Sequence, residues 1–372
     1  MKTLWLRHET KPFERRSALT PKAVSILLSR GYEVVVEKSP ARAFLDEEFA
    51  ATGARMVETN SWKTEAPSNA VILGLKELEN ETTPLTHRHI HFAHVYKGQF
   101  GSQETLNRFV QGGGKLYDLE YLTDENNKRI AAFGHWAGFV GAGLGVIQWA
   151  LRQEGKTLND VAPLSEKESS DEFIKYVLSF LDKLSIRPRT LVIGANGRCG
   201  KGATELLRKV GVEPVQWGSK DTSGKGPIEE VLDFDVLVNC AFMARKTAPF
   251  LTRDLLKKER HLVSISDVGC DPTGPCNPLP IYQSITTMDQ PTITIDENGP
   301  LDITAIDHLP SILPRESSQD FCEQLLPHLL EFLKTNIEGT PWGRSLEVYF
   351  TKCLEYSLQK EESLFDLPSN LM

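Results

Sequence analysis

Short runs of β-branched and apolar residues alternate with longer helical patterns along the first third of the chain, and this alternation constrains the fold most. Tyr32–Glu37 predicts a buried strand, and it follows a helix over Pro21–Arg30 that Thr20 caps and Gly31 ends. Because parallel strands need a crossover between them, the pattern predicts an α/β fold with helices on both faces of a parallel sheet. Further strands are expected at residues 3–7, 70–75, 90–95 and 115–119.

A second pattern of the same kind starts near residue 189. A strand over Arg189–Ile193 leads into GANGRCGKGA and a helix, and more strands are expected at 215–217, 235–239 and 262–266. Residues 133–151, which are rich in small side chains, predict a tightly packed helix that crosses between domains. We therefore predict two Rossmann-like domains with parallel sheets and an interdomain cleft. Residues 1–132 with 323–372 would serve substrate and catalysis, and residues 133–322 a dinucleotide.

Composition excludes several classes of protein. A length of 372 residues suits two domains, and a net charge of −8 without a basic tail argues against a nucleic-acid partner. The longest apolar stretch, residues 136–147, is shorter than the roughly 20 residues that a membrane span needs. The amino terminus has no signal-peptide pattern. We expect a cytoplasmic protein with no membrane partner.

The sequence contains no pattern with the spacing of metal ligands. All six cysteines lie in the second half of the chain, and none forms a C-x-x-C pair. His87, His89 and His91 alternate along one strand, but no acidic residue or cysteine accompanies them at ligand spacing. We therefore expect no metal.

Three glycines, Gly194, Gly197 and Gly200, follow a predicted strand and open a helix. Glycine at such a turn lets backbone amides approach a pyrophosphate, whose charge the helix dipole favours. The spacing is G-x-x-G-x-x-G in place of the usual G-x-G-x-x-G, and a tight strand-to-helix turn that needs glycine only for packing is the alternative. The context favours nucleotide binding.

The residue that would choose between NAD and NADP is unusual. Rossmann units that bind NAD place an acidic residue at the end of the second strand, where it accepts hydrogen bonds from the ribose. Here that position is Gly218, and Ser219 and Lys220 after it are compatible with a 2′-phosphate. Asp221 could also reach the ribose. NAD and NADP both remain open at this point.

Titratable residues follow two neighbouring strands of the first unit. Lys76 and Glu77 end one strand, and His94 ends the next. Since ligands of α/β proteins bind at the carboxyl ends of the strands, Lys76 and His94 are candidates for acid and base. The alternatives are a surface ion pair for Lys76 and a packed core imidazole for His94. Their appearance at successive strand ends favours a function.

Arginines and two cysteines complete the candidate set. Arg15, Arg16 and Arg129 could bind substrate carboxylates through a bidentate fork, or could be solvated surface charges. Cys199 and Cys240 both lie at the carboxyl edge of the second predicted sheet, and two free thiols are the alternative to a pair.

Several blocks together resemble the fungal saccharopine dehydrogenases (L-lysine-forming), relatives of alanine dehydrogenase and transhydrogenase. These blocks span the chain and include LRHETKPFERRSALTP, ILGLKELEN, HFAHVYKGQ, RIAAFGHWAGFVGAGLGV, VIGANGRCGKGA and AIDHLPSILPRESS. The resemblance implies reversible NAD(P)-dependent hydride transfer at a secondary amine, which interconverts saccharopine with L-lysine and 2-oxoglutarate. It also implies small amino-acid and 2-oxo-acid substrates and a monomer.

The resemblance also implies roles for individual residues. Lys76 resembles the base that takes the amine proton, His94 the acid–base group of imine hydrolysis, and Glu77 and Glu120 the carboxylates that tune them. Cys199 and Cys240 match a pair that can form a disulfide beside the cofactor site. Substrate-contacting positions match Arg16, Gln99, Arg129, Phe133, Gly269, Cys270 and Asp271. Cofactor-contacting positions, with the loop glycines, are Lys128, Gly194, Gly197, Arg198, Gly200, Gly218, Thr222, Phe242, Val268, Ile306, Asp307, His308 and Leu309.

The chain departs from the family pattern at three places. Gly218 replaces an Asp, Phe242 replaces a Tyr, and Gly269-Cys270 replaces Ser-Ala. Three alternatives therefore stay open: a paralogous opine-forming imine reductase that couples a different amino acid to a 2-oxo acid, an alanine-dehydrogenase-like enzyme that uses ammonia, and a non-catalytic nucleotide-binding or redox-sensing module.

Overall fold

The computed structural model describes residues 3–97, 101–241, 243, 245–334 and 336–365, with side chains as far as Tyr356. The chain forms two α/β units: unit 1 is Met1–Ala132 with Ser318–Met372, and unit 2 is Phe133–Ser317. The boundary expected from the sequence at residues 322/323 falls inside a continuous helix, Pro314–Lys334.

Unit 1 is built on a six-stranded sheet with the order β3-β2-β1-β4-β5-β6. Every neighbouring pair in it is parallel, and Leu6 of β1 pairs with Val36 of β2 and with Leu73 of β4. Its core contains Trp5, Ile72 and Phe109. The strands are β1 Thr3–Leu6, β2 Glu33–Glu37, β3 Arg55–Val57, β4 Val71–Leu73, β5 Arg88–His91 and β6 Lys115–Asp118.

The helices of unit 1 begin and end at local signals. In α1 (Pro21–Ser29), Thr20 Oγ1 accepts a hydrogen bond from the amide of Ala23 at 3.2 Å, as a capping residue does. The β5 strand starts two residues earlier than expected and ends at His91, so His94 lies in the loop beyond it. The other helices before unit 2 are α2 Asp46–Ala50, α3 Trp62–Glu65 and α4 Ser102–Gly112.

Unit 2 has a second six-stranded sheet with the order β11-β12-β10-β9-β7-β8. It is parallel except that β11 runs antiparallel to β12, a hairpin that the prediction of parallel sheets did not include. The strands are β7 Thr190–Ile193, β8 Val215–Trp217, β9 Val236–Asn239, β10 Ser264–Asp267, β11 Ile293–Asp296 and β12 Pro300–Thr304.

Helix α5 (Gly134–Arg152) is the central helix of unit 2 and lies wholly within it, in place of the expected crossing between domains. Its small residues allow close helix packing. A Cβ on Gly138 would lie 1.8 Å from the carbonyl oxygen of Cys199, and one on Gly202 would lie 1.9 Å from that of His135. The other helices of unit 2 are α6 Ser170–Leu181, α7 Arg198–Lys209, α8 Ser219–Thr222 and α9 Arg253–Leu256.

Two carboxyl-terminal helices, α10 (Pro314–Lys334) and α11 (Pro341–Phe365), return the chain to unit 1, as the sequence predicts. The hydroxyl of Tyr349 donates to the carbonyl of Gly114 at 3.1 Å, and that of Ser345 to the carbonyl of Asp118. Within the described residues, no helix combines the length and the apolar character that a bilayer crossing requires.

Candidate active site

Lys76 lies at the carboxyl edge of the sheet of unit 1, three residues after β4 ends at Leu73. Its side chain is half-buried, and among the described residues no group accepts a hydrogen bond from its Nζ. Burial lowers the pKa of Lys76, the charges of Arg16 and Lys11 lower it further, and Glu14 opposes them. An amine in these surroundings can act as a proton acceptor.

Glu77, His94 and Glu120 form a group next to Lys76, in which His94 is hydrogen-bonded to Glu77 and lies within ion-pair distance of Glu120. His94 Nδ1 lies 2.6 Å from Glu77 Oε1, and His94 Nε2 lies 3.8 Å from Glu120 Oε2. Burial alone would raise the pKa of Glu77, but the hydrogen bond and the charge of His94 hold it at about 2. The backbone of His94 is left-handed, with φ at +52°. This conformation aims the ring at both carboxylates and is uncommon outside glycine.

Glu120 follows β6 in a short 3₁₀ helix, Leu119–Tyr121, which Asp118 caps through a 2.9 Å bond from the amide of Glu120. Burial raises the pKa of Glu120, but the 2.7 Å bond from Lys97 together with the charges of Lys97, Arg129 and His94 leaves the pKa lowered. Asp118 itself is 1% exposed, and burial raises its pKa to about 6. Sequence reasoning did not single out Asp118, although it is the acidic end of a predicted strand.

Arg16 is 4% exposed and is held by Glu14. Its Nε and Nη2 donate to the two carboxylate oxygens of Glu14 at 2.8 and 2.6 Å, and its amide donates at 2.9 Å. Glu14 was missed in the sequence, where the signal is a glutamate two residues before the arginine. Arg15 is directed elsewhere, since its Nε donates to the carbonyl of Ala41.

Lys128 and Arg129, predicted for cofactor and substrate, lie on an exposed turn of unit 1. Thr123 and Arg129 form its antiparallel bridge, and Asp124 Oδ1 accepts the amide of Lys128 at 2.9 Å. The charge of Arg129 contributes to lowering the pKa of Glu120, so this turn lies near the group around His94. The predicted substrate residue Gln99 lies outside the described residues.

The three loop glycines lie where β7 passes into α7 in unit 2. Gly194 has φ at +80°, and a Cβ on it would lie 2.7 Å from the backbone of Cys240. A Cβ on Gly200 would lie 2.3 Å from the carbonyl oxygen of Gly194. Gly197 is the capping residue of α7, and Arg198 is the first residue of the helix. Packing therefore requires Gly194 and Gly200, and the turn leads into the amino-terminal end of α7, the kind of helix end that attracts an anion.

The end of β8 carries an acidic group in spite of Gly218. Gly218 caps α8, and the carboxylate of Asp221 turns back to accept its amide at 2.7 Å. Thr222 donates to the carbonyl of Gly218 at 3.3 Å. A Cβ on Gly218 would meet Asn196 Nδ2 at 2.8 Å, so a side chain there would displace that of Asn196 from the glycine loop. Asp221 thus occupies the strand end that Gly218 leaves without a carboxylate.

The segment Val268–Asp271 follows β10 and is organised by buried Asp267. Asp267 Oδ1 accepts from Asn239 Nδ2 at 2.9 Å, and Oδ2 accepts from the hydroxyl of Tyr282 at 2.6 Å. Cys270 is left-handed, with φ at +46°, and its thiol donates to the carbonyl of Ala305 at 3.1 Å. Burial raises the pKa of Cys270 to about 12, so it stays a thiol at neutral pH. Gly269 and Asp271 are exposed on this turn.

The remaining predicted positions of unit 2 also lie at element ends. The segment Ile306–Leu309 follows β12, and His308 Nδ1 lies 2.5 Å from Asp307 Oδ1. Phe133 is the residue before α5. Phe242 lies outside the described residues.

Cys199 and Cys240 are free thiols in this structure. Cys199 is in the first turn of α7, and Cys240 directly follows β9. Burial, and then the charge of Cys199, raises the pKa of Cys240 well above its usual value. The two groups therefore influence each other electrostatically, and their pairing as a disulfide stays a prediction.

His87, His89 and His91 line one face of β5 inside unit 1. His89 packs edge-on against Trp62 and Phe109, with ring centres 5.1 and 5.3 Å apart. Burial lowers the pKa of His89 and of His91 well below the usual value. In the part of the chain that the structure describes, no three or more His, Cys, Asp or Glu side chains are grouped as metal ligands would be.

The predicted site residues thus fall into two sets. Unit 1 brings together Lys76, Glu77, His94 and Glu120 with Arg16 and Arg129 near them, and it also carries Lys128. Unit 2 gathers the loop glycines, Arg198, Gly218 and Thr222 at one strand edge, with Phe133, Val268–Asp271 and Ile306–Leu309 at other element ends.

Comparison with known proteins gives a family for this arrangement. Saccharopine dehydrogenase (NAD+, L-lysine-forming) of Yarrowia lipolytica is 48% identical over 356 residues, which cover 93% of this chain and 96% of that protein. The protein of the same name from Emericella nidulans is 45% identical over 363 residues, covering 94% and 96%. The chain belongs to the saccharopine dehydrogenase (NAD+, L-lysine-forming) family.

More distant comparisons agree with this family in fold. Residues 5–140 match the alanine dehydrogenase/PNT N-terminal domain. The structure of an L-alanine dehydrogenase superposes with a TM-score of 0.65 at 16% identity, and the match covers 93% of each chain. This saccharopine dehydrogenase family member therefore shares with alanine dehydrogenase a fold of Rossmann type.

Proposed function

We propose that this protein is an oxidoreductase that uses NAD to interconvert saccharopine with L-lysine and 2-oxoglutarate. The observation that carries the proposal is the half-buried Lys76, with its lowered pKa, next to the Glu77–His94–Glu120 group. The relatives named saccharopine dehydrogenase (NAD+, L-lysine-forming) match over nearly their whole length, and we take the proposed substrate and cofactor from their name.

The glycine loop of unit 2 fits a dinucleotide. A Cβ on Gly194 or Gly200 would fill the turn, and the amides at the start of α7 would hold the pyrophosphate. Asp221, at the end of β8, would accept hydrogen bonds from the ribose and would repel a 2′-phosphate, which favours NAD over NADP. When bound, the nicotinamide supplies the acceptor and donor of hydride.

Lys76 controls the proton on the substrate nitrogen. A secondary amine loses hydride from its carbon only when the nitrogen has a free electron pair, so the proton on nitrogen must leave first. A neutral Lys76 Nζ accepts it, and burial together with the charges of Arg16 and Lys11 makes neutral Nζ accessible. In the reductive direction, hydride adds to the protonated imine and the same group then returns the proton to the amine nitrogen.

His94 serves the hydrolysis of the imine. Because Glu77 is ionised and can only accept, the proton on Nδ1 of His94 faces it, and Nε2 is left as an acceptor. Nε2 takes a proton as water adds to the imine carbon. The carbon–nitrogen bond of the resulting carbinolamine then breaks, the amine leaves as lysine, and the carbon becomes the carbonyl of 2-oxoglutarate.

Saccharopine carries three carboxylates, which explains arginines at this site. Arg16 is already fixed by Glu14, and Arg129 lies on the exposed turn near Glu120. We assign both to the carboxylates of the substrate. The exposed Gly269 and the half-buried Cys270 of unit 2 belong to the same proposal as substrate contacts.

Initial rates of NADH and NADPH oxidation test the function, with 2-oxoglutarate and lysine, other amino acids or ammonia as partners. We expect NADH oxidation with lysine and, in the other direction, NAD reduction with saccharopine. Turnover with a different amino acid alone would indicate an opine-forming paralogue, and turnover with ammonia alone an alanine-dehydrogenase-like enzyme. NADH binding without any turnover would indicate a non-catalytic module.

A cytoplasmic monomer, as expected from the sequence, is part of the proposal. Cell fractionation tests the location, and sedimentation at several protein concentrations tests the oligomeric state.

A further inference from the structure

Two buried charged residues outside the group described above hold the peptide groups on both sides of Lys76. Glu9 Oε1 accepts the amide of Leu75 at 2.6 Å, and its Oε2 accepts the amide of Lys76 at 2.9 Å. Arg7 Nη2 donates to the carbonyl oxygen of Lys76. Arg7 and Glu9 also pair with each other at 3.4 Å, and their side chains are 2% and 8% exposed.

The contacts bind two amides that the sheet no longer holds, although the carbonyl of Leu75 still accepts the amide of Phe92 at 3.0 Å. Strand β4 ends at Leu73, so the amides of Leu75 and Lys76 have left its ladder and need another acceptor. The carbonyl of Lys76 belongs to the peptide bond that leads into Glu77. The pair therefore restrains the backbone of the candidate base and of the carboxylate that binds His94.

Gly74 leaves room for the Arg7 side chain because it has no side chain of its own. A Cβ on Gly74 would lie 2.2 Å from Arg7 Nε and 2.5 Å from Cζ, so the guanidinium can cross the end of β4 only over a glycine. Burying two charges costs hydration energy, and a hydrophobic pair of similar volume often serves stability equally well. Arg7 and Glu9 together direct three hydrogen bonds at the backbone of residues 75 and 76, and this concentration on one segment indicates a task beyond stability.

We propose that Arg7 and Glu9 are positioning residues that hold Lys76 Nζ and Glu77 in register with the substrate. This inference rests on the function proposed above. Neither residue touches the reacting atoms; each acts through the backbone of residues 75–77. Small displacements of an acid–base group from its productive geometry lower turnover by up to about a hundredfold.

Glu9→Gln tests the proposal, because the amide keeps the shape of the carboxylate but loses its charge and one of the two acceptor oxygens. We expect kcat to fall about tenfold to a hundredfold, with the dissociation constant of NADH unchanged. In a Lys76→Met background the same change should lower kcat less than about threefold, because no base remains to be positioned. An equal loss in both backgrounds would overturn the proposal.

Glu37→Gln is the matched control. Glu37 is a fully buried glutamate of the same unit whose carboxylate accepts the amides of His8, Asn60 and Trp62, and none of its hydrogen bonds among the described residues reaches residues 75–77. We expect it to lower the melting temperature at least as much as Glu9→Gln does while kcat stays within about threefold of wild type. A loss of kcat in proportion to the loss of stability in both variants would overturn the proposal.

Arg7→Lys is a second variant, which keeps the positive charge but loses the planar guanidinium with its several N–H donors. We expect a smaller fall in kcat than for Glu9→Gln, with KM for NADH unchanged. Wild-type kcat in a folded Arg7→Lys variant, together with wild-type kcat in Glu9→Gln, would also contradict the inference.

Two measurements without turnover separate this inference from the proposed function. If the wild-type protein does not act on saccharopine, the function fails, but hydrogen exchange still reports on the backbone. We expect the amides of Leu75 and Lys76 to exchange at least about tenfold faster in Glu9→Gln, with the amides of β1 unchanged. The pH dependence of Lys76 modification by an amine reagent should broaden or shift at the same time. Unchanged exchange at both amides would refute the role of Glu9.

Discussion

The two units fix their candidate site residues in opposite ways. Unit 1 holds candidate site side chains in place with carboxylates, as the buried Glu14 holds Arg16 and the half-buried Glu77 holds His94. Unit 2 holds backbone in place by leaving side chains out, and Gly194 and Gly200 allow chain segments to approach within distances that a Cβ would prevent. Proton transfer needs a titratable group with a shifted pKa, whereas a pyrophosphate needs only converging amides. A proton-transfer site therefore needs fixed side chains, whereas a pyrophosphate site needs a fixed backbone.

Lys76→Met should have the largest effect and should affect unit 1 alone. We expect turnover to fall by about two to four powers of ten, the range for a lost general acid or base, while NADH binds as before. Initial rates and the quenching of protein fluorescence by NADH measure the two quantities. Because the pKa of Lys76 is lowered on folding, the unfolded chain holds more protons just below pH 10.5, and stability rises with pH across that window.

In Lys76→Met the rise of the free energy of unfolding with pH just below 10.5 should be lost. The same unfolding measurements show whether the variant is folded. Turnover close to wild type in the folded variant would remove Lys76 from the mechanism.

His94→Gln should come second, with a loss of about a hundredfold in turnover. One ionisation should disappear from the pH profile. The pKa of Glu77, held at about 2, should move back toward 4.5, because the bond and charge of His94 are gone. A lowered carboxyl pKa stabilises the fold above pH 4.5, and this contribution is lost as pH falls toward 2, so the variant should lose it.

Carboxyl resonances followed by NMR from pH 2 to 6 measure this shift. An unchanged Glu77 titration together with an unchanged pH–rate profile would assign His94 to packing.

Gly200→Ala should weaken NADH binding by unit 2 and leave the candidate acid–base group of unit 1 unchanged. Its Cβ would meet the carbonyl of Gly194 at 2.3 Å and the Cα of Ala195 at 2.4 Å, both backbone atoms. Overpacking of this kind costs about 1–3 kcal/mol, so we expect NADH to bind roughly tenfold to a hundredfold more weakly. The pH dependence of Lys76 modification should not change. Gly155→Ala is a control, since the space around Gly155 is open although its φ is +72°. Equal effects of the two substitutions on NADH affinity would contradict the packing argument.

Asp221→Asn should have the smallest effect and sharpens the account of cofactor choice. The side-chain oxygen of Asn can still accept from the amide of Gly218, but the charge that we propose to repel a 2′-phosphate is lost. We expect the preference for NADH over NADPH in kcat/KM to fall by about tenfold, which corresponds to about 1.4 kcal/mol. Asp254→Asn, an exposed acidic residue of the same unit, is the control. A preference that survives Asp221→Asn would assign ribose recognition to another group.

The course of the chain could be predicted well where the signals are local. Thr20 and Pro21 mark the start of α1, and the strand Val215–Trp217 has the predicted bounds. The helix α6, which starts at Ser170, was not predicted. The hairpin of β11 and β12 was also missed. The hairpin lies where polar residues interrupt the apolar alternation on which strand predictions depend, whereas α6 has a regular helical spacing of Phe173, Val177 and Leu181 that was overlooked.

The sequence was sufficient to select some of the candidate site residues by their type and position. The roles of the individual residues stay predictions. Lys76 and His94 were singled out because titratable residues at strand ends are recognisable without a structure. Glu14 and Glu9 were not, because an acidic residue in a charged segment has the same sequence signature whether it is solvated or buried. The resemblance to known enzymes added Glu77 and Glu120, which the residue pattern alone did not select as partners of His94.

By itself the sequence determined most of the strands, the α/β class with two units, and the family, because hydrophobic periodicity, capping residues and glycine turns act over a few residues. Only the tertiary structure decided which charges meet. Glu9 binds the amide of a residue 67 positions away, and Glu77 binds a histidine 17 positions away. A pKa depends on burial and on charges within a few ångströms in space, and chain distance does not encode either of them.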